Sequence, residues 1–261
     1  MHNFDFAKPS TVADAAKALA ADGAQALSGG QTLIPTMKQR LAAPGTLVSL
    51  TGIAEMQGVC MGDGGLHIGA ATPHAVVAKE ARAHYPALAD LAGGIGDPAV
   101  RSRGTIGGSV ANNDPAACYP SAVLASGATV VTNRRKIAAD DYFQGLFTTA
   151  LEEGEFITEV VFPIPQKAAY VKFNQPASRF ALTAVFVAQY ASGVRVAVTG
   201  ASAGGVFRWT EAEAALGRNF NAQMVSGLTV DASDMIGDLH GTQAYRANLV
   251  KVLTGRAVAA A

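Results

Sequence analysis

The sequence predicts an α+β protein in three parts, and three observations support this. Residues 1–55 alternate strand, helix, strand, loop, helix and strand, the pattern of a small α/β lobe. Residues 56–165 open on a glycine-linked hairpin and close on a strand stopped by Pro163-Ile164-Pro165. Residues 166–261 carry three apolar, β-rich runs followed by helices.

In the first part, Phe4 begins an extended piece and Ser10 or Thr11 caps an Ala-rich helix ending near Gly23. Ala24 to Ser28 is a strand. Gln31 to Leu41 is a helix with Pro35 in its first turn, where a missing N–H costs nothing, and Thr46 to Leu50 is the next strand. In the second part, Gln57 to Met61 and Leu66 to Gly69 pair through Gly62-Asp63-Gly64-Gly65. Thr72 caps a helix starting at Pro73, Tyr85 to Leu91 is another, and Asp140-Asp141 caps a short one. Pro120 to Ser126 is helical and leads into a strand at Ala128 to Thr132 with a turn at Asn133-Arg134; Phe156 to Pro163 is the closing strand. In the third part, Tyr170 to Phe173, Ala181 to Tyr190 and Val194 to Ala203 are strands, with a turn at Ser192-Gly193. Glu211 to Leu216 and Ala222 to Leu228 are short helices, and Thr242 to Ala261 is a longer one.

Composition excludes several function classes. Basic and acidic residues balance at 20 each, so the chain lacks the basic footprint of a nucleic-acid binder. Charged residues are only 15% against 49% hydrophobic, a composition that implies surface covered by other subunits. Cys60 and Cys118 are too few for a disulfide framework or an iron–sulfur ligand set. A reduced, cytoplasmic setting is expected. Met1 to Pro9 lacks the apolar core of a signal peptide, and no run of 18 apolar residues predicts a membrane span.

Most candidate motifs dissolve on inspection. Gly94-Ile95-Gly96-Asp97-Pro98-Ala99 matches a dinucleotide fingerprint on paper, but a helix precedes it and Pro98 interrupts it, so it reads as a helix-ending loop. The five histidines (His2, His67, His74, His84 and His240) show no metal-ligand spacing and no carboxylate partner. No nucleophile elbow is present. Two loops remain, Ser28-Gly29-Gly30-Gln31-Thr32-Leu33 and Thr105-Ile106-Gly107-Gly108-Ser109. In both, a Gly-Gly pair suits positive φ and close backbone approach, and small hydroxyls stand beside it. Successive N–H groups there would cradle an anion. Neither loop carries a lysine, so together they point to an extended, diphosphate-bearing cofactor held by backbone dipoles.

Across all 261 residues the chain resembles the FAD-binding medium subunits of molybdenum hydroxylases, the carbon monoxide, xanthine and aldehyde dehydrogenase group. The resemblance rests on Leu27 to Pro35, on Val100 to Ser109, and on Ala111-Asn112-Asn113-Asp114-Pro115-Ala116-Ala117. Lys172 to Phe180 and Tyr245 to Ala257 echo the family less strongly. It implies a vanillyl-alcohol-oxidase-type (PCMH-like) fold of two α/β lobes clasping FAD, closed by a C-terminal antiparallel sheet with a helical bundle. Under it, Ser28 to Thr32 and Thr105 to Ser109 hold the diphosphate, and Asn112 and Asp114 lie along the adenosine. Ile95, Gly96 and Ile157 line the cofactor, Lys172 stands near the flavin ring, and Phe180 takes an aromatic position, commonly tyrosine, beside it. Cys118 stands where many members carry aspartate, at the expected adenine–ribose contact.

The resemblance further implies an electron-transfer role. Electrons from [2Fe–2S] clusters in a small partner subunit would pass through FAD here to an external acceptor. A large partner would hold the molybdenum pterin cofactor, in a dimer of heterotrimers. The alternatives are a free-standing FAD oxidoreductase and an assembly subunit that has lost its flavin. No residue of this chain is expected to act as acid, base or nucleophile.

Overall fold

The computed structural model describes residues 1–261. A parallel three-stranded sheet comes first, built from β1 (Asp5–Ala7), α1 (Val12–Leu19), β2 (Ala24–Leu27), α2 (Leu33–Lys38) and β3 (Thr46–Ser49), with β3 central. Thr11 caps α1 by accepting from the Asp14 N–H, and Ala15 and Leu19 are its buried face. Pro35 does sit in the first turn of α2.

A five-stranded antiparallel sheet follows, in the order β4 (Val59–Gly62), β5 (Gly65–Gly69), β10 (Ile157–Phe162), β6 (Thr129–Thr132) and β7 (Lys136–Ala138). Between β5 and β6 run α3 (His74–Glu80), α4 (Pro86–Gly93), α5 (Pro98–Arg101), α6 (Ile106–Asn112) and α7 (Tyr119–Ser126). After β7 come α8 (Ala139–Tyr142) and a small hairpin of β8 (Phe143–Gly145) and β9 (Thr148–Thr149). Thr72 does not cap α3. Its hydroxyl donates to the Gly58 carbonyl and accepts from the Gly58 N–H, which locks the hairpin base and leaves Pro73 at the helix start. The helical reading of Ala222 to Leu228 shortens to a 3₁₀ turn over Ala222–Val225.

The last sheet pairs β11 (Lys167–Asn174), β12 (Ala181–Tyr190), β13 (Gly193–Thr199) and β14 (Phe207–Arg208) in sequence order, all antiparallel. It is covered on one face by α9 (Thr210–Arg218) and α10 (Gln243–Ala260) and on the other by α4 and α7. That explains why Ala181 to Tyr190 reads as an unbroken apolar run. Phe186 and Ala188 point into the core beneath α4 and α7, whereas Val185 and Val187 point into the one beneath α9 and α10. Phe186 meets Tyr85 edge-to-face at 5.9 Å, and the Tyr85 hydroxyl is hydrogen-bonded to Ser126 at 2.8 Å.

Glu155 pins the segment entering β10. Its fully buried carboxylate accepts from Arg135, from the Thr132 hydroxyl and from the Glu152 N–H. These bonds, led by Arg135, hold its pKa down at about 2. A depressed carboxylate pKa stabilises the fold above the unfolded value and loses that contribution as pH falls through the folded one. The chain should therefore lose about 3 kcal/mol between pH 4.5 and pH 2 through this group. Comparing denaturant midpoints of the wild type and Glu155→Gln across that range checks it: the variant should lack this component. Phe186→Ala, by emptying the contact between α4 and the last sheet, should cost about 3–5 kcal/mol in the same assay.

Candidate functional site

All the residues expected to contact a cofactor border one cleft of about 720 Å³, a volume usual for a ligand site. Its walls come from the β2–α2 loop, from the segment between Ala70 and Cys118, from the start of β10, and from the end of β11 with the turn into β12.

The first loop is a row of free donors. No backbone N–H from Ser28 through Leu33 is engaged by any acceptor of the chain. Gly30 takes φ +70°, which turns the loop and aims successive N–H groups into a concavity. Gly29 has a different reason to lack a side chain: a Cβ there would lie 2.2 Å from the Arg103 carbonyl oxygen. The loop therefore leans directly on the backbone of the second loop, and the Ser28 and Thr105 hydroxyls close the seam at 2.7 Å.

The second loop differs from the sequence expectation. Thr105 to Ser109 is not a positive-φ turn but the start of α6, capped by Thr105 accepting from the Gly108 N–H. Its first donors are already used: Ile106 N–H donates to Thr72 and Gly107 N–H to Ala70. Gly107 is required by packing, since its Cβ would stand 2.5 Å from that of Ala70. Gly108 faces the opening between Thr105 and Ser28. The loop thus supplies hydroxyls and a close-fitting floor, while the free N–H groups belong to the first loop.

At the end of α6, Asn113 takes φ +43° and donates to the carbonyls of Gly145 and Thr148. This turns the chain so that Asn112 and Asp114 both border the cleft. Asp114 accepts from the Ala116 N–H, and Thr199 at the end of β13 donates to the carbonyls of Pro115 and Ala117. The last sheet therefore sets the position of Cys118.

Cys118 is buried and borders the cleft, with the Lys172 ammonium 3.7 Å from Sγ. Lys172 is not a solvated strand lysine. It donates to the Gly94 carbonyl at 2.7 Å and to the Arg179 carbonyl at 3.0 Å, tying α4 to the turn before β12. Ile157 is buried in the floor. Phe180 stands half-buried on the wall, its ring edge-to-face with His240 at 5.6 Å. The Asp238–Gly241 turn that carries His240 is held by Arg246, buried in α10, through Asp238 at 2.7 Å.

Two residues in or beside the cleft escaped sequence reasoning. His74 borders the cleft, 5% exposed, with Nδ1 lacking any partner. Burial, and then the Arg101 guanidinium, push its pKa down to about 4, so it is neutral at pH 7. Arg101 donates to the carbonyls of Ile95 and Gly96, pinning the loop that ends α4. Neither was findable from spacing, because each acts across the fold. His67 also departs from expectation: it has a carboxylate partner, Glu159 at 3.0 Å, although the pair lies outside the cleft. No His, Cys, Asp and Glu grouping in the chain is arranged to hold a metal ion.

The arrangement offers hydrogen-bond donors to an anion and a partly apolar wall to a ring, with no nucleophile–base pair. The residues fit a dinucleotide whose diphosphate takes the free N–H row. Comparison with known proteins agrees. Residues 2–165 match the family model described as the FAD binding domain in molybdopterin dehydrogenase. The glyceraldehyde dehydrogenase medium chain of Sulfolobus acidocaldarius is 31% identical, over 97% of this chain and 96% of its own. The nicotine 6-hydroxylase medium subunit of Paenarthrobacter nicotinovorans is 33% identical, over 97% and 95%. The reconstituted CO dehydrogenase from Oligotropha carboxidovorans contains a chain that superposes with a TM-score of 0.89 at 28% identity, covering 99% of this chain and 97% of that one. The chain belongs to the FAD-binding subunit family of the molybdopterin dehydrogenases, which are oxidoreductase complexes.

Proposed function

We propose that this chain is the electron-exit subunit of a heteromeric molybdenum hydroxylase. FAD supplies the two-electron chemistry when bound, taking electrons from [2Fe–2S] clusters of a small partner and passing them to an external acceptor. The observation that carries this reading is the unbroken row of free N–H groups from Ser28 to Leu33, set in a cleft without acid–base machinery.

In this reading the N–H row holds the diphosphate, with the Ser28, Thr105 and Ser109 hydroxyls beside it. Gln31, Thr32 and Leu33 form its outer rim, and Asn112 and Asp114 face the adenosine half. The isoalloxazine ring would be held against Phe180, with Ile95, Gly96, Ile157 and Lys172 lining its place. The protein's contribution is to orient the ring and exclude water from it; no side chain here needs to gain or lose a proton.

The partners follow from chemistry this chain does not hold. Its two cysteines, Cys60 on the surface and Cys118 in the cleft wall, cannot ligate a cluster. A small iron–sulfur subunit and a large molybdenum pterin subunit would complete the assembly as a dimer of heterotrimers, in a reducing, cytoplasmic setting. No helix is long and apolar enough to cross a membrane. Residues 1–55, 56–165 and 166–261 would act as two FAD-clasping lobes and a closing domain.

Two measurements test the reading. The chain purified with its accompanying subunits should show a flavin absorption band near ~450 nm; a preparation without it would overturn the cofactor assignment. Gly30→Val, which forces a β-branched residue into positive φ, should lower FAD occupancy at least about tenfold with the far-UV spectrum retained. Gly107→Val should instead lower the melting temperature, because its Cβ collides with Ala70. Equal FAD occupancy in Gly30→Val and wild type would contradict the diphosphate role of the loop.

A further inference from the structure

The loop from Gly94 to Gly96, whose Ile95 and Gly96 line the cleft, is unusual in its electrostatics. Three consecutive carbonyls of this loop accept from cations: Gly94 from Lys172, Ile95 and Gly96 from Arg101. Neither cation takes part in any ion pair of the chain. The remaining acceptors of Lys172 are the Arg179 carbonyl and the Cys118 sulfur, so a thiol occupies the place where a counter-ion would sit. His74, beside Arg101, is neutral and adds no compensation. Of the acids bordering the cleft, Glu155 is already bound to Arg135, and Asp114 is turned onto the Ala116 N–H. Both cations are half-buried, which limits their screening by solvent.

We propose that Lys172 and Arg101, left without a carboxylate, make this wall a fixed positive field that raises the reduction potential of the flavin held against it. The inference rests on the FAD reading above and adds a property that reading does not require. Reduction of the ring by two electrons and one proton leaves one negative charge on it at neutral pH. An uncompensated cation nearby stabilises that charge and leaves the neutral oxidised ring almost untouched. The carbonyl clamp keeps the cations in place without neutralising them, since carbonyls carry dipoles and no net charge. Cys118 is therefore the controlling position: it touches the ammonium and determines whether the local charge is positive or balanced.

Reductive titration of the FAD-bearing assembly with dithionite and a reference dye tests this. Cys118→Asp, which places a carboxylate against the Lys172 ammonium, should shift the midpoint potential negative; Cys118→Ser, of similar size and no charge, should leave it in place. Lys172→Met should shift it in the same direction as Cys118→Asp, and Lys172→Arg should not. If a variant releases FAD, the shift is read from the dissociation constants of oxidised and reduced FAD. In Cys118→Asp and Lys172→Met, reduced FAD should lose about tenfold more affinity than oxidised FAD. An unchanged potential in Cys118→Asp with FAD bound, or an equal shift in Cys118→Ser, overturns the proposal while leaving the FAD assignment intact. A wild-type assembly without flavin overturns both.

Discussion

The cleft depends on the direct backbone approach of Gly29 to the Arg103–Gly104 peptide. A side chain at Gly29 would occupy the position of a carbonyl oxygen, so the β2–α2 loop and the loop before α6 meet there without any intervening side chain. Gly104 repeats the constraint one layer deeper, where a Cβ would stand 2.6 Å from the His74 ring. The seam brings Ser28 to Thr105 and sets the free N–H row over the floor made by α6. Separating these segments by the width of one methyl group would widen the seam and scatter the donors. The donor geometry is thus a consequence of backbone packing more than of local turn chemistry.

The third sheet contributes from the opposite side. Because β12 is buried on both faces, the sheet cannot slide without disturbing two cores at once. Its ends carry the site's other wall: Thr199 fixes the segment leading to Cys118, Lys172 reaches back to α4, and the β11–β12 turn presents Phe180. Arg195 reinforces the joint by donating to the Leu124 carbonyl at the end of α7 and to Asp140. The wall and the floor are therefore referenced to one rigid element, which keeps their separation fixed.

Much of this was legible in the chain itself. Alternating patterns, the Thr11 cap, the Gly62–Gly65 hairpin turn and the proline stop after Phe162 all rest on local chemistry, and the elements form where that chemistry places them. The cleft residues were legible as a set because two short motifs carry most of them. What the sequence concealed are relations across the fold. Gly107 and Gly30 look alike in a string, yet one meets Ala70 and the other adopts positive φ. Thr72 stands where a cap belongs, but Gly58 lies within reach and claims its hydroxyl. The contact of Cys118 with Lys172 was invisible because the two lie 54 residues apart in the chain.

Charge is spent sparingly in this protein, and where it sits unpaired is informative. The buried and half-buried carboxylates mostly answer to arginines, as in Glu155 with Arg135 and Glu213 with Arg208. Such pairs fix loops and helices while leaving little net field. The cleft follows a different rule. Along Ser28 to Leu33 the donors are neutral backbone groups, which can hold an anion without a lysine whose charge would have to be balanced. Around Ile95 and Gly96, two cations, Lys172 and Arg101, are clamped by carbonyls and take part in no ion pair. Neutral donors suit a ligand whose charge never changes, and a fixed charge suits one that gains charge when it is reduced. Under the proposed FAD placement, the two halves of the cleft would divide retention of the cofactor from control of its electron affinity, using the same fold and a few well-placed side chains.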